Sequence, residues 1–342
     1  MNKFLLFPAL LGLLVQCTPA SWEKGVSAPF AGKMGGEVVI AGGCNFPGKP
    51  AAEGGAKVFY DGIYTLDGQQ IGTLPEPMAY GAAASYGEAL ICAGGCNQEG
   101  PSDRVFALTF QAGEVLCRPL PSLPVPVDNT SGAICHDTFY LVGGNQNGVP
   151  SQQVFSLDLL TEGAQWVRET PFPGHPRIQP VAVAQAGKLF AFGGFAPKKD
   201  SLPASLSVSS LCFDVVAKTW TPRATPLNAE GEEVSLGGGC GVAVGDSLIL
   251  CAGGVHKDLF LSALQGLMGS DYLTHEPAWY KFNDQLLLYD TALDGWTSLA
   301  QDKAYARAGA SLVNGEDESV YLIHGEVKPG VRTPDVRKIS VK

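Results

Sequence analysis

The chain has 342 residues, with 43 Gly, 24 Pro and only 16% charged residues, a mix that suits short strands joined by many turns better than helices. Lys and Arg number 23 against 33 Asp and Glu, for a net charge of −10. That field, with no run of basic residues to interrupt it, excludes nucleic acid and argues against an anionic membrane surface as partner.

Residues 1–20 read as an export leader. Met-Asn-Lys is followed by an apolar stretch from Phe4 to Val15, too short to span a bilayer comfortably and typical of a secretory signal. Two processing routes fit. Leu14-Val15-Gln16-Cys17 resembles a lipobox in which Cys17 carries lipid and anchors the protein, although Gln before the Cys is atypical. Thr18-Pro19-Ala20 would instead serve as an ordinary cleavage site. Either route predicts an exported, periplasmic protein whose residues 21–342 form one domain.

From residue 38 onward one pattern repeats. Apolar strands ending in Gly-Gly occur at Val38 to Gly43, Leu90 to Gly95, Phe139 to Gly144, Leu189 to Gly194 and Leu248 to Gly254; Val320 to Gly325 is a sixth copy with His324 in place of the first Gly. The doublets begin at 42, 94, 143, 193, 253 and 324, in steps of 52, 49, 50, 60 and 71 residues. A period near 50 is the kelch spacing. Each copy is preceded by a Gly- and Ala-rich strand and a tight turn such as Gly35-Gly36, His136-Asp137 or Asn314-Gly315, which is a hairpin signal. An aromatic strand follows, as at Ile63-Tyr64, Val154-Phe155 and Leu288-Tyr289, and then a Trp at 166, 220 and 296. Four antiparallel strands, a to d, account for one blade, and six blades for a kelch-type β-propeller. The sixth unit lacks its strand d, so the orphan strand Trp22 to Val26 is expected to close it and leave no open edge.

In such a ring the b–c and d–a loops share one face. The b–c loops are the long ones: Cys44 to Tyr60, Phe195 to about Ser207, and Val255 to about Asp284. Function is therefore expected on that face. The last of these loops contains Leu259-Phe260-Leu261 and Leu264 to Met268, read as a short helix in a lid with its own small core. Eight cysteines follow Cys17. Cys92, Cys135, Cys212 and Cys251 lie in apolar strand positions, where Cys behaves as a small buried hydrophobe; an essential disulfide network is not expected. The five histidines show no metal-ligand spacing, and no sialidase Ser-x-Asp box is present.

The blade-six b–c loop is the sharpest segment: Gly325-Glu326-Val327-Lys328-Pro329-Gly330-Val331-Arg332-Thr333. Pro-Gly folds it tightly, so Glu326 and Arg332 could face the mouth together. A carboxylate can exchange a proton with a sugar hydroxyl, and a guanidinium can grip a carboxylate. The same pair suits a salt bridge bracing the loop equally well. The segment resembles the Gly-Glu-Ala-Lys-Pro-Gly-Leu-Arg-Thr signature of the N-acetylneuraminate epimerase (sialic acid mutarotase) family. Pro176-Arg177-Ile178-Gln179 is similar to a family Pro-Arg-x-Gln, and Gly42-Gly43-Cys44-Asn45-Phe46-Pro47 to a motif of its cyclically permuted branch. The resemblance implies Glu326 as proton acceptor and Arg332 as a substrate-binding residue. It further implies an activity that interconverts the anomers of sialic acid by opening and reclosing the ring, with no metal or cofactor. Asn129, Arg177, Gln179 and Arg307 at the starts of strands a, and Asn45, are secondary substrate-binding candidates that would serve equally as loop braces. One departure stands out: Met78-Ala79-Tyr80-Gly81 occupies a place where the family often has Arg-Ala-Tyr-Gly. A mutarotase for another sugar and a non-catalytic glycan- or protein-binding propeller are the alternatives.

Overall fold

The computed structural model describes residues 20–316 and 318–341; the expected leader up to residue 19, with Cys17, lies outside them. Antiparallel strands dominate, with a few short helices between them. Phe30–Met34, Glu37–Ala41, Gly62–Thr65 and Gln70–Thr73 hydrogen-bond in that order as the first sheet. Four more four-stranded sheets begin at Ala82–Tyr86, Ser131–Cys135, Val181–Gln185 and Cys240–Val244, and a three-stranded one is formed by Ser311–Asn314, Ser319–Ile323 and Val336–Ser340. Each expected tight turn joins the first two strands of its sheet, as in the pairing of Met34 with Glu37. The long insertion carries the expected short helix, Lys257–Leu264.

The core lies between sheets. Phe30, Met34, Leu90 and Phe106 fill the seam of the first and second. Ile91, Phe139 and Phe155 fill the next. Tyr140, Leu189 and Phe213 follow, then Phe192, Ile249 and Tyr289, then Leu250, Leu312 and Leu322. Val26, Val38, Ile40, Val313 and Ile323 pack the last sheet against the first. The alternating apolar positions of each strand thus serve both neighbours, as a sheet buried on both faces requires.

Two residues before each first strand the backbone turns left-handed: Ala28, Tyr80, Asn129, Gln179, Gly238 and Gly309 all have φ between 48° and 72°. They are tied to one another by backbone hydrogen bonds. Tyr80 donates to Ala28 (3.0 Å), Ala28 to Gly309 (2.7 Å), Gly309 to Gly238 (2.7 Å), Gly238 to Gln179 (3.0 Å) and Gln179 to Asn129 (2.8 Å). The glycine doublets form a second set of links. Gly43 donates to the carbonyl of Met78, Gly95 to Val127, Gly144 to Arg177, Gly254 to Arg307 and Gly325 to Val26. Glycine is required there because the next sheet comes so close: a Cβ on Gly42 would lie 2.4 Å from the Met78 carbonyl oxygen.

The N-terminal strand expected to close the last sheet is not formed. Ala20–Glu23 is a helical turn, and the last sheet keeps three strands. Gly25 breaks the extended run: it has φ +70° and lies so close to Thr333 that a Cβ would stand 2.0 Å from that carbonyl oxygen. The segment docks by other means. Trp22 packs against Tyr64 and His324, with ring centroids 5.6 and 5.4 Å away, and Ser27 exchanges backbone hydrogen bonds with Cys44.

Candidate active site at the Glu326–Arg332 hairpin

Glu326–Lys328 and Val331–Arg332 form a small hairpin turned by Pro329-Gly330, with Glu326 directly opposite Arg332. Paired strands point opposed residues to one side, and the side chains meet: Arg332 Nη2 is 2.8 Å from Glu326 Oε1. The Glu326 side chain keeps 18% of its surface exposed, whereas that of Arg332 keeps 3%. The Gly330 N–H donates to Glu326 Oε2 (3.3 Å). Two backbone hydrogen bonds between Glu326 and Ala308 fix the base of the hairpin beside the ring of left-handed residues.

Arg332 lies over the ring of Phe46, 4.8 Å from its centroid, and its Nη2 is 3.9 Å from Cys44 Sγ. Burial pulls its pKa down, but Glu326, Tyr80 and Cys44 outweigh that and raise it, so the guanidinium stays charged. Among the described residues its Nε and Nη1 are buried with no hydrogen-bond partner. A buried donor left so is costly, and a carboxylate has the two oxygens that would satisfy it.

The neighbours of this pair come from sheets one and two. Lys57 Nζ donates to the Tyr80 hydroxyl at 3.2 Å. The Tyr80 phenol is within electrostatic reach of Cys44, Glu326 and Arg332, and burial pushes its pKa well above the usual value. Burial likewise raises the Cys44 thiol, with Lys57 and Arg332 opposing. On the opposite wall Gln179 donates to Asn129 (2.6 Å), while Asn129 and Asn145 both donate to Asp128 Oδ1 (2.5 and 2.8 Å). A cavity of about 170 Å³ runs down the middle of the ring, lined by Ala28, Tyr80, Asn129, Gln179, Gly238 and Gly309 among others. A larger cavity of about 900 Å³ lies under the insertion and reaches Val327. Glu326 and Arg332 line neither, while Val327, next to Glu326, borders the larger cavity and Tyr80 the axial one. Lys328 ties the hairpin to the insertion through the His275 carbonyl (2.7 Å), and the His275 ring is stacked on Trp279 at 3.9 Å.

The secondary candidates divide. Asn129 and Gln179 are half-buried at the axial cavity. Arg177, Arg307 and Asn45 face inward as braces. Arg177 donates to the Gly193 carbonyl and to Ser207 and Ser209, and burial lowers its pKa to about 10. Arg307 donates to the His324 and Asp335 carbonyls and pairs with the Asp335 carboxylate. Asn45 donates to the Gly25 carbonyl and accepts from Tyr60 (2.6 Å). Met78 is the equivalent of Arg177 and Arg307, since all three carbonyls accept from the second residue of a glycine doublet. Met78 is packed among Leu74, Phe30 and Phe106. The departure from Arg-Ala-Tyr-Gly therefore replaces a brace with apolar packing and takes no cation from the mouth. Tyr80 lies in the Met-Ala-Tyr-Gly segment that the sequence singled out for its first residue alone, and Lys57, which reaches the site through the Tyr80 hydroxyl, carries no signal of its own.

Residues 120–342 match the profile of the N-acetylneuraminate epimerase family. The chain belongs to that family. It is 30% identical to the N-acetylneuraminate epimerase of Haemophilus influenzae (strain PittEE) over 225 residues, 64% of this chain and 58% of that protein. The epimerase of Yersinia pestis (strain Pestoides F) is 33% identical over 63% of this chain and 56% of its own. The chain thus spans less than three-fifths of the length of these relatives. The solved structure of YjhT superposes with a TM-score of 0.55 at 26% identity, covering 65% of each chain. Glu326, Arg332, Asn129, Arg177, Gln179 and Arg307 fall inside the residues that match the epimerase family, whereas Asn45, Lys57 and Tyr80 fall outside them.

Proposed function

We propose that this member of the epimerase family interconverts the α and β anomers of N-acetylneuraminic acid, on a closed six-bladed propeller of the kelch type. The hydrogen bonds from Ala28 to Gly309 and from Gly325 to Val26, together with the packing of the last sheet on the first, support closure. A ring whose units begin at a different blade also accounts for matches that cover about two-thirds of this chain, and for a family match that begins at residue 120, since an alignment in chain order stops where the order shifts.

The observation that carries the chemistry is Arg332, a buried cation with one nitrogen on Glu326 and two further nitrogens, Nε and Nη1, that lack an acceptor among the described residues. The substrate carboxylate would take those donors and set the anomeric carbon beside Glu326. Glu326 then accepts the proton of the anomeric hydroxyl while the ring oxygen is protonated and its bond to the anomeric carbon breaks. The open keto form turns about the bond next to the carbonyl and closes on the other face, and Glu326 returns the proton. Anomers exchange unaided, so one general base, worth about 10²–10⁴-fold, gives a useful acceleration.

Saturation-transfer NMR of anomer exchange tests this. Glu326→Gln keeps shape and an acceptor oxygen for Arg332 but removes the base; it should cut exchange at saturating sialic acid about 100-fold or more and leave binding largely intact. Arg332→Lys should weaken binding roughly tenfold for a sugar bearing a carboxylate and much less for a neutral one. A stable, fully active Glu326→Gln variant would sink the assignment. Sialic acid binding without accelerated exchange by the unmodified protein would make the propeller a glycan-binding module.

A further inference from the structure

Opening a sugar ring needs two proton movements, and Glu326 performs one. The ring oxygen must gain a proton as its bond breaks, from water or from the protein. The side chains with a proton to give that lie against Glu326 or within its electrostatic reach are Arg332, Cys44 and Tyr80. A guanidinium holds its proton too firmly to act as an acid. The Cys44 side chain is fully buried.

Tyr80 is placed differently. It occupies one of the six left-handed positions around the axis, and the others hold Ala28, Asn129, Gln179, Gly238 and Gly309. An aromatic residue at φ +61° is strained relative to glycine, and such strain persists where the surroundings over-determine it and clusters at active sites. It lines the axial cavity, and its hydroxyl accepts from Lys57 at 3.2 Å. With an acceptor site occupied by the ammonium, the phenol's own proton is shared with Cys44, and it would have to turn from the sulfur to a bound sugar. Lys57 is also where a phenolate's charge would be met.

We propose that Tyr80 is the acid of the reaction, giving its phenolic proton to the ring oxygen while Glu326 takes the proton of the anomeric hydroxyl. This rests on the mutarotase reading. The steps balance. The ring bond's electron pair goes to the ring oxygen, which becomes a hydroxyl with the proton from Tyr80. The anomeric O–H pair becomes the second bond of the keto group, and that proton goes to Glu326. The phenolate is held by Lys57. On reclosure the hydroxyl attacks the other face of the keto carbon and returns its proton to Tyr80, while Glu326 protonates the new anomeric oxygen. No proton is gained or lost over the cycle. Burial keeps the phenol protonated before the step but makes it a weaker acid, so the phenolate depends on the Lys57 ammonium.

The test is anomer exchange of sialic acid by the full protein, by Tyr80→Phe and by Lys57→Met, each with a melting curve. Tyr80→Phe keeps the ring and its packing. It should lower the exchange rate at saturation about 100-fold, with half-saturation within about twofold and an unchanged melting temperature. Lys57→Met should lower the saturated rate three- to tenfold, since it leaves the acid but removes the partner of its conjugate base. A folded Tyr80→Phe with the parental rate overturns the proposal. Should Tyr80→Phe fail to fold, a Lys57→Met variant at the parental rate overturns it. If the parent protein itself leaves exchange at the uncatalysed rate, the mutarotase reading falls and takes this one with it; parental exchange with an undiminished Tyr80→Phe removes the acid alone.

Discussion

His324 stands where the other five units have glycine, and it keeps the left-handed backbone (φ +51°) that glycine suits. The residue is 1% exposed, edge-on to Trp22, and among the described residues neither ring nitrogen has a hydrogen-bond partner. Burial, helped by Arg307, holds its pKa down to about 4 from an ordinary 6.5. The sign follows directly. Between those values the unfolded chain binds a proton that the folded chain refuses, so stability is lost as pH falls from about 6.5 towards 4, by up to about 3 kcal/mol. His324→Gly should flatten that acid limb in denaturant titrations at pH 7 and pH 4.5, whatever it does to stability at neutral pH through the lost contact with Trp22. An unchanged difference between the two pH values would assign the acid sensitivity to carboxylates instead.

Among elements, the segment from Ala20 to Ser27 acts as a clasp in place of a strand. Its tightest point is Gly25 against Thr333, just past the Glu326–Arg332 hairpin. Gly25→Ala adds a Cβ 2.0 Å from a carbonyl oxygen at a positive φ, and should destabilise by about 2–4 kcal/mol; a melting temperature equal to the parent's would show that the clasp yields freely. This is also where the sequence was least legible. Trp22 to Val26 has the apolar ends of a strand, and only the approach of the Thr333 carbonyl explains why Gly25 turns away. The six repeats were legible because paired strands leave a period-2 pattern and each tight turn leaves its own residues. The hairpin was legible because Pro329-Gly330 fixes which residues oppose each other. Arg177 and Arg307 were not, since a basic residue at the start of an inner strand looks the same whether its guanidinium faces a ligand or the next sheet's carbonyls.

At the scale of the molecule, the six seams are unequal. The fully buried residues between the last sheet and the first are all aliphatic, Val26, Val38, Ile40, Val313 and Ile323, with its aromatics Trp22, Tyr60 and Tyr321 only partly buried, where the seam of the fourth and fifth sheets buries three aromatics, Phe190, Phe192 and Tyr289. Sub-global opening follows the least-packed boundary. Amide hydrogen exchange should therefore be fastest, among first strands, in Phe30–Met34 and Ser311–Asn314, and slowest in Val181–Gln185 and Cys240–Val244; uniform protection around the ring would contradict it. The bonds among the six left-handed residues have a consequence of another kind. All five run in one rotational sense, each amide giving to the carbonyl of its neighbour, so their dipoles follow one another around the axis and largely cancel. Such a circuit offers an entering anion nothing comparable to the positive end of a helix. In a chain of net charge −10, the attraction for a carboxylate has to be built from side chains, and Arg332 and Lys57 stand at the place where it would be needed.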